Sequence, residues 1–167
     1  MGWMIYVTGG AYSGKEDYAR NLAKSTLQDV LHITARSSAE PNEQERMYRG
    51  KLWRQETQLE DLDTLLMDAQ EQVAILDHVE DFVRQWALNA GDQMERIELS
   101  AEANAERLCR GIEGFSGTVI VVATEMGLGL EEYKSPMSKI MGKINRRLAN
   151  LSDEAWFMVS GVPMRLK

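Results

Sequence analysis

The chain is poor in cysteine and in positive charge and has no long apolar run, and each shortage excludes a class of protein. Its single cysteine, Cys109, rules out an internal disulfide and a multi-cysteine metal site, so the reducing cytoplasm is the expected location. Acidic residues outnumber basic ones by 26 to 19, and the net charge of −7 argues against a general binder of nucleic acid or of membrane surfaces. No apolar run is long enough to span a bilayer, and we expect no N-terminal targeting signal.

The remaining composition is that of an ordinary globular protein, with 44% hydrophobic and 27% charged residues. We expect one domain over residues 1–167, large enough to bury a sizeable core. Segments with the apolar pattern of strands alternate with segments of helical periodicity, which predicts an α/β fold with a mostly parallel sheet and helices on both faces. A turn is predicted at 161–163, and a short antiparallel edge strand at 164–167 is left open. The predicted strands are 4–8, Val30–Thr34, Val73–Asp77, Thr118–Thr124 and 155–160.

Five amphipathic helices are predicted between these strands. Ser100 has the side chain of a helix N-cap, and Ser135-Pro136 combines a capping hydroxyl with a proline at the first helical position. Gly91 is a stop signal after the third helix. Cys109 lies within a helical pattern, where we expect it to pack. The predicted helices are 17–27, 59–69, Val79–Ala90, 100–112 and Pro136–Leu151.

One glycine-rich segment matches the pattern of a phosphate-binding loop up to its last position. It fits G-x-x-x-x-G-K between a predicted strand and a predicted helix, but has Glu16 where the pattern has Ser or Thr. Backbone N–H groups and the helix N-terminus of such a loop bind phosphate oxygens, and Lys15 adds a positive charge; the missing hydroxyl is the one that helps to hold Mg²⁺. The alternative is a tight structural turn. The expected nucleotide-binding residues are Gly9, Gly10, Ala11, Tyr12, Ser13, Gly14, Lys15 and Glu16.

Further polar residues follow other predicted strands at their carboxyl ends, where parallel sheets bind ligands. Asp77 follows four apolar residues, a position at which nucleotide-dependent enzymes hold Mg²⁺ through water; it could instead cap the next helix. Glu125 could orient substrate or metal, or could simply face solvent. The polar segment 37–41 follows the second strand. Lys15, Asp77 and Glu125 are therefore the candidate catalytic residues, and Asp77 is the candidate magnesium ligand.

Four motifs occur in an order that is more specific than a phosphate loop alone. The chain opens with I-Y-V-T-G-G-A-x-S-G-K over 5–15 and has V-V-A-T-E-M-G-L-G over 121–129. G-K-I-N-R-R-L-A covers 142–149, and W-F-M-V-S-G-V-P covers 156–163. Together they resemble the adenosylcobinamide kinase/adenosylcobinamide-phosphate guanylyltransferase family of cobalamin biosynthesis over nearly the full length.

The resemblance implies a RecA-like, three-layer phosphate-loop fold, Mg²⁺, ATP or GTP as substrate, and a homotrimer. It also implies two activities. One phosphorylates the primary hydroxyl on the aminopropanol arm of adenosylcobinamide, and the other transfers GMP from GTP onto that phosphate through a histidine-linked guanylyl intermediate. The expected partners are therefore a nucleoside triphosphate and a corrinoid of the cobinamide type, with no nucleic acid and no membrane.

The sequence departs from the family pattern where the guanylylated histidine is expected. The segment after the second strand should resemble R-I-x-x-H, then R-P and W, but residues 45–53 read E-R-M-Y-R-G-K-L-W and offer Tyr48 or Arg49 at the corresponding place. The two histidines of the chain lie elsewhere. We expect His32 to be packed or partnered inside its strand. His78, near the phosphate loop, is a conceivable substitute nucleophile, but it is predicted on a different element from the family's histidine.

Three further departures lie in the other motifs, with Tyr12 in place of arginine, Glu16 in place of the loop hydroxyl and Arg146 in place of glutamine. Glu16 could itself ligate Mg²⁺, since hard cations prefer oxygen ligands, or could only stabilise the start of the helix. A local basic patch in this acidic chain could contact phosphate or the corrinoid, or could be a solvated helix face. The basic patch consists of Arg46, Arg49, Lys51 and Arg54.

These observations leave three functional hypotheses. The first is a cobinamide-type kinase that has lost guanylyltransferase activity, because phosphoryl transfer needs mainly positioning and charge neutralisation, whereas guanylyl transfer needs an activated nucleophile. The second is a nucleotide-binding paralogue without turnover that acts as a regulator or assembly partner. The third is a full bifunctional enzyme, which requires a covalent GMP adduct.

Overall fold

The computed structural model describes residues 2–35, 45–57, 61–126 and 135–167, and only the backbone of residues 45 and 46. All strands in these residues belong to one sheet. The strands are β1 (Trp3–Gly9), β2 (Val30–Thr34), β3 (Glu45–Tyr48), β4 (Lys51–Thr57), β5 (Val73–Asp77), β6 (Thr118–Thr124), β7 (Glu154–Val159) and β8 (Val162–Arg165). The helices are α1 (Lys15–Ser25), α2 (Leu62–Asp68), α3 (Val79–Ala90), α4 (Met94–Gly114) and α5 (Pro136–Leu151).

The sheet has a parallel centre and an antiparallel pair at each edge. Its order is β3-β4-β2-β5-β6-β1-β7-β8. The six inner strands run parallel, whereas β3 is antiparallel to β4 and β8 is antiparallel to β7. The predicted α/β class with a mostly parallel sheet, including the antiparallel C-terminal edge strand, is thus confirmed and is consistent with a phosphate-loop fold.

Each face of the sheet has its own apolar core, because side chains alternate along a strand. Tyr6 packs with residues of α2, α3, α4 and α5 on one face. Val7 packs with residues of α1 on the other face. By the same alternation His32 of β2 and Asp77 of β5 project to the α1 face, beneath the helix that begins at the phosphate loop.

The helices differ from the prediction mainly at their starts. Ser100 does not begin a helix, because α4 already begins at Met94. Within α4, the Ser100 carbonyl and hydroxyl oxygens accept hydrogen bonds from the Asn104 amide one turn later, so a residue typical of caps is accommodated inside the helix. The cap at Ser135 is confirmed, with its hydroxyl accepting from the Ser138 N–H at 3.1 Å. No helix in the described residues is long and apolar enough to cross a membrane.

Two tight turns differ from the sequence prediction, which places none at Arg49-Gly50 and one at 161–163. Arg49 and Gly50 have φ of 48° and 79°, the left-handed geometry of a two-residue hairpin turn. The basic patch therefore lies along the β3–β4 hairpin, and the expectation of a helix face there is wrong. Ser160 and Gly161 form the same kind of turn, with φ of 49° and 78°, so the edge strand begins at Val162 and not at residue 164.

Candidate functional site

The phosphate loop joins β1 to α1 and is held in a tight conformation. Gly14 has φ of 89°, and a Cβ at Gly9 would lie only 2.5 Å from Ser13 Oγ. The Ser13 carbonyl accepts a 2.9 Å hydrogen bond from the Gly161 N–H, so the β7–β8 turn braces the loop. The helix after it begins at Lys15, two residues earlier than predicted. The free N–H groups of the first turn of α1 therefore lie directly at the loop.

Lys15 is buried within this loop and is paired with the residue that departs from the motif. Its side chain is 2% exposed, and Nζ donates to the Gly10 carbonyl at 3.1 Å. Nζ also lies 3.0 Å from Glu16 Oε1. Glu16 is therefore an internal counter-ion of the lysine, a role beyond that of an acidic residue at a helix start. Tyr12, with φ of 57°, is fully exposed at the tip of the loop.

Asp77 ends β5 with a buried carboxylate whose two oxygens differ in environment. Oδ2 accepts from His32 Nε2 at 3.0 Å and from Arg20 at 3.3 Å. Oδ1 is buried, and no hydrogen-bond donor among the described residues reaches it. Burial acts to raise the pKa of Asp77, but the His32 hydrogen bond and the charges of His78 and Arg20 outweigh it, so the pKa is lowered and the carboxylate is ionised. The carboxylate is thus engaged with His32 and Arg20, and α3 has no side-chain N-cap.

His78 connects the acidic residues of the site. Its Nδ1 lies 3.7 Å from Glu16 Oε1 and 3.4 Å from Glu80 Oε1, and its Nε2 lies 3.6 Å from Asp77 Oδ1. The residue has φ of 54°, a backbone conformation that few non-glycine residues adopt. One imidazole therefore contacts carboxylates from α1, β5 and α3.

Glu80 is a buried carboxylate that the sequence reasoning missed. It accepts from the Thr124 hydroxyl at 2.8 Å and from the Thr124 N–H at 3.2 Å, while Asn145 donates to the Thr124 carbonyl at 3.1 Å. Burial opposes its ionisation, but hydrogen bonds from His78, its own N–H and Thr124 lower the pKa of Glu80 to about 2. An acidic residue in the first turn of a helix is also what the helix dipole favours, so the sequence did not distinguish the two roles.

Glu125 lies next to the phosphate loop through its backbone. Its N–H donates to the Gly9 carbonyl at 2.9 Å, and its side chain is partly buried. Lys15, Asp77 and Glu125 therefore lie at the ends of β1, β5 and β6, which are consecutive in the sheet centre around β6. Residues 37–41 and 127–129, which also carry sequence expectations, lie outside the described residues.

Comparison with known proteins identifies the family of this chain. The family model described as CobU, cobinamide kinase / cobinamide phosphate guanyltransferase, matches residues 5–166. The chain belongs to this family. It is 27% identical over 181 aligned positions to the bifunctional adenosylcobalamin biosynthesis protein CobU of Escherichia coli K12, covering 98% of this chain and 99% of that protein. The CobU protein of Salmonella typhimurium LT2, with the same description, is 28% identical with the same coverage.

The CobU site of this chain offers magnesium few oxygen ligands, but suitable ones. Asp77 Oδ1 is buried with no hydrogen-bond donor among the described residues, and the Glu16 carboxylate lies near His78, which also lies near Oδ1. Among the described residues, no group of three acidic, histidine or cysteine side chains could hold a metal by itself. Mg²⁺ commonly takes one or two carboxylates and fills its shell with phosphate oxygens and water. The residues therefore fit a magnesium ion that arrives with a nucleotide.

Tyr48 and Arg49, which the family resemblance places where its histidine is expected, lie beyond the amino ends of the parallel strands. Val30, the first residue of β2, is in register with Trp53, so the Arg49-Gly50 turn lies beyond the amino end of β2. Tyr48 there contacts the Lys24 ammonium from the last turn of α1, 5.3 Å from the ring centroid. Within this chain, Tyr48 and Arg49 are thus separated from the phosphate loop by the length of the parallel strands.

Proposed function

We propose that this protein is a nucleotide-dependent kinase of cobalamin biosynthesis that phosphorylates the aminopropanol hydroxyl of a cobinamide-type corrinoid, and that it has lost guanylyltransferase activity. Membership of the CobU family supports the nucleotide-dependent role in that pathway. One observation carries the kinase half of the proposal. A buried lysine in the glycine-rich loop lies at the same end of the parallel strands as a buried aspartate, one oxygen of which no hydrogen-bond donor in the described part of the chain reaches.

These residues suit phosphoryl transfer, which depends on positioning and charge neutralisation. The loop N–H groups and Lys15 would bind the terminal phosphates of ATP or GTP and stabilise the charge that develops on the transferred group. Mg²⁺, when bound, neutralises the phosphate oxygens, and Asp77 would hold it directly or through water. Glu125 lies on the strand end beside the loop, where it would orient the acceptor hydroxyl. We assign these three side chains the catalytic roles.

The absence of a suitable nucleophile supports loss of the guanylyl step. That step needs a histidine nitrogen free to attack the α-phosphorus. His32 is buried and its Nε2 is bonded to Asp77. His78 Nδ1 is hydrogen-bonded to Glu80 Oε1 at 3.4 Å, and the residue lies on a different element from the one on which the family resemblance places its histidine. The chain has no third histidine.

Direct assay tests the proposal. Wild-type protein incubated with adenosylcobinamide, Mg²⁺ and γ-labelled ATP or GTP should yield a labelled corrinoid phosphate. Asp77→Asn should slow product formation by at least about 100-fold, since metal-ion charge stabilisation is worth several kcal/mol. Asp68→Asn, an exposed acid at the end of α2, is the matched control and should leave the rate unchanged. Folded wild-type protein that forms no corrinoid phosphate would refute the kinase assignment.

A second assay addresses the lost activity. Intact-mass spectrometry after incubation with GTP should detect no covalent GMP on the wild-type chain. An adduct that is abolished by His78→Gln would restore the bifunctional hypothesis and identify the nucleophile.

The Lys15–Glu16 ion pair favours one alternative, a nucleotide-binding protein without turnover. A carboxylate 3.0 Å from Nζ competes with phosphate for the lysine and stands where the magnesium-binding hydroxyl is usual. This alternative predicts nucleotide affinity that depends on Lys15 but hardly on Mg²⁺. Calorimetric titration with and without the metal separates the two, because the kinase requires a clear increase in affinity with Mg²⁺.

A homotrimer, implied by the family resemblance, is part of the same proposal. An exposed apolar strip runs from the end of β7 along the edge strand β8 to Leu166 and supports self-association, because an unpaired strand edge readily finds a partner. Sedimentation velocity should give about three times the chain mass of 18.9 kDa. A monomer at micromolar concentration would contradict it. The exposed residues of this strip are Val159, Val162, Met164 and Leu166.

A further inference from the structure

His32 is a buried polar residue in a strand that is otherwise built for packing. Every residue of β2 is buried, and its immediate neighbours Leu31 and Ile33 are completely inaccessible. His32 itself is 5% exposed, and its ring meets the Trp53 ring edge-on at 5.7 Å between centroids. A buried imidazole costs free energy unless its polar atoms are satisfied, so an apolar residue would serve packing alone at least as well.

The contact that His32 makes is with the candidate magnesium ligand. Its Nε2 lies 3.0 Å from Asp77 Oδ2, and because an ionised carboxylate only accepts, Nε2 is the donor. Thr34 of β2 is in register with Asp77, which places His32 diagonally opposite it on the same face of the sheet. Arg20 donates to the same oxygen, but its side chain is 40% exposed. Of the two donors to Oδ2, His32 is therefore the buried one.

The two donors leave the carboxylate asymmetric. Both bond Oδ2, whereas Oδ1 is buried, lies 3.6 Å from His78 Nε2 and has no hydrogen-bond donor among the described residues. A buried carboxylate oxygen without a donor is costly, and its occurrence in a folded protein calls for a partner that is a water or a cation. Fixing Oδ2 fixes the rotation of the whole carboxylate, and so the direction in which Oδ1 points.

We propose that His32 is a positioning residue that holds Asp77 by Oδ2 so that Oδ1 is presented to the magnesium ion of a bound nucleotide. The inference rests on the proposed function, because it takes the phosphate loop and Asp77 as the metal–nucleotide site. It assigns His32 no contact with substrate. Its effect passes through Asp77, as outer-shell partners of metal ligands act elsewhere.

Calorimetric titration with a non-hydrolysable ATP or GTP analogue, with and without Mg²⁺, tests this role. His32→Leu should reduce the increase in affinity caused by Mg²⁺ by about 10-fold while leaving metal-free affinity within about twofold. His32→Gln, whose amide nitrogen reaches about as far as Nε2, should retain most of the increase. Ile75→Val alters packing at the register partner of His32 without touching a polar atom, and should behave as wild type.

The outcomes separate the inference from the function on which it rests. A magnesium effect in wild type that His32→Leu retains would overturn the positioning role and leave the kinase assignment standing. No magnesium effect in wild type would overturn both. If His32→Leu weakened nucleotide binding equally with and without Mg²⁺, the role of His32 would be merely structural, and the inference would again be overturned. If His32→Leu does not fold, His32→Asn replaces it, because its amide nitrogen lies near the Nδ1 position, further from Asp77, and should give the same selective loss.

Discussion

The parallel strands end at two opposite edges of the sheet, which we call the carboxyl edge and the amino edge, and these edges carry different kinds of residue. At the carboxyl ends, Lys15, Asp77 and Glu80 are buried and are linked through Glu16 and His78. At the amino end of β2, Arg49 is exposed on a hairpin turn, and Tyr48 contacts the end of α1. The first edge carries the residues that we propose to bind the nucleotide, while the second carries Tyr48 and Arg49, which the family resemblance places where its histidine is expected. The difference teaches that the buried polar network of this chain lies at one end of the parallel strands and its basic hairpin at the other.

The largest effect should come from the lysine of the carboxyl edge. Lys15→Met should weaken nucleotide binding by roughly 1,000-fold, or about 4 kcal/mol, because two charge-assisted contacts to phosphate are lost. Calorimetry with ATP and GTP measures the change. Lys24→Met, in the last turn of the same helix, is the matched control and should bind as wild type. Comparable losses in both variants would mean that the loop is a structural turn.

A variant of Glu80 tests whether the polar network at the carboxyl edge also contributes to the free energy of unfolding. Its pKa is lowered from 4.5 to about 2 in the folded protein, so its contribution is fully present above pH 4.5 and is lost as the pH falls towards 2. That shift corresponds to about 3 kcal/mol of unfolding free energy. Glu80→Gln should lose about this amount at pH 7, and its stability should converge with wild type near pH 2. Urea unfolding over this pH range measures both.

The control for Glu80 is a glutamate in a surface ion pair. Glu98 lies 3.4 Å from Lys139 and is partly exposed. Glu98→Gln should change the unfolding free energy by less than about 0.5 kcal/mol, because exposed pairs contribute little. If Glu80→Gln and Glu98→Gln had the same unfolding free energy, the hydrogen bonds between Glu80 of α3 and Thr124 of β6 would not stabilise the fold as described.

A smaller effect is expected at the residue that departs from the loop motif. Glu16→Thr removes the carboxylate that lies 3.0 Å from Lys15 Nζ and adds the hydroxyl that usually helps to hold Mg²⁺. Nucleotide affinity with Mg²⁺ should rise about fivefold, or ~1 kcal/mol. Glu16→Gln removes the charge without adding the hydroxyl and separates the two contributions. Weaker binding by Glu16→Thr would instead indicate that the carboxylate itself serves as a metal ligand.

The parallel core and the loop could be predicted because their signals are local. Thr118–Thr124 is an uninterrupted apolar, β-branched run, as expected of a strand covered on both faces. The glycine and lysine spacing fixes the loop within eight residues. The bond between Glu80 and Thr124 joins residues 44 positions apart, and no local pattern indicates it. The asymmetry of Asp77 is likewise set by His32 from another strand, so it depends on sheet order and register.

The β3–β4 hairpin shows why the rest was missed. Its turn, Arg49-Gly50, has glycine at one left-handed position but arginine at the other, where asparagine or aspartate gives the usual signal. The strand β3 is four residues long and mostly polar, so alternation is too short to detect. Its strand character comes from pairing with β4, which itself pairs with β2. Tertiary pairing, and not local propensity, determines this segment.

The smallest effect is expected at the hairpin itself, and it tests the separation of the two edges most directly. The double variant Arg49→Ala/Lys51→Ala removes two cations of the basic patch. Because the strands separate them from the phosphate loop and salt screens exposed charges beyond about 8–10 Å, nucleotide affinity should stay within about twofold of wild type. Arg20→Ala is the contrasting variant, since Arg20 bonds Asp77 and its loss should reduce the effect of Mg²⁺. A tenfold loss in the double variant would place the hairpin at a nucleotide site, within one chain or between neighbouring chains, and the two edges would then act together.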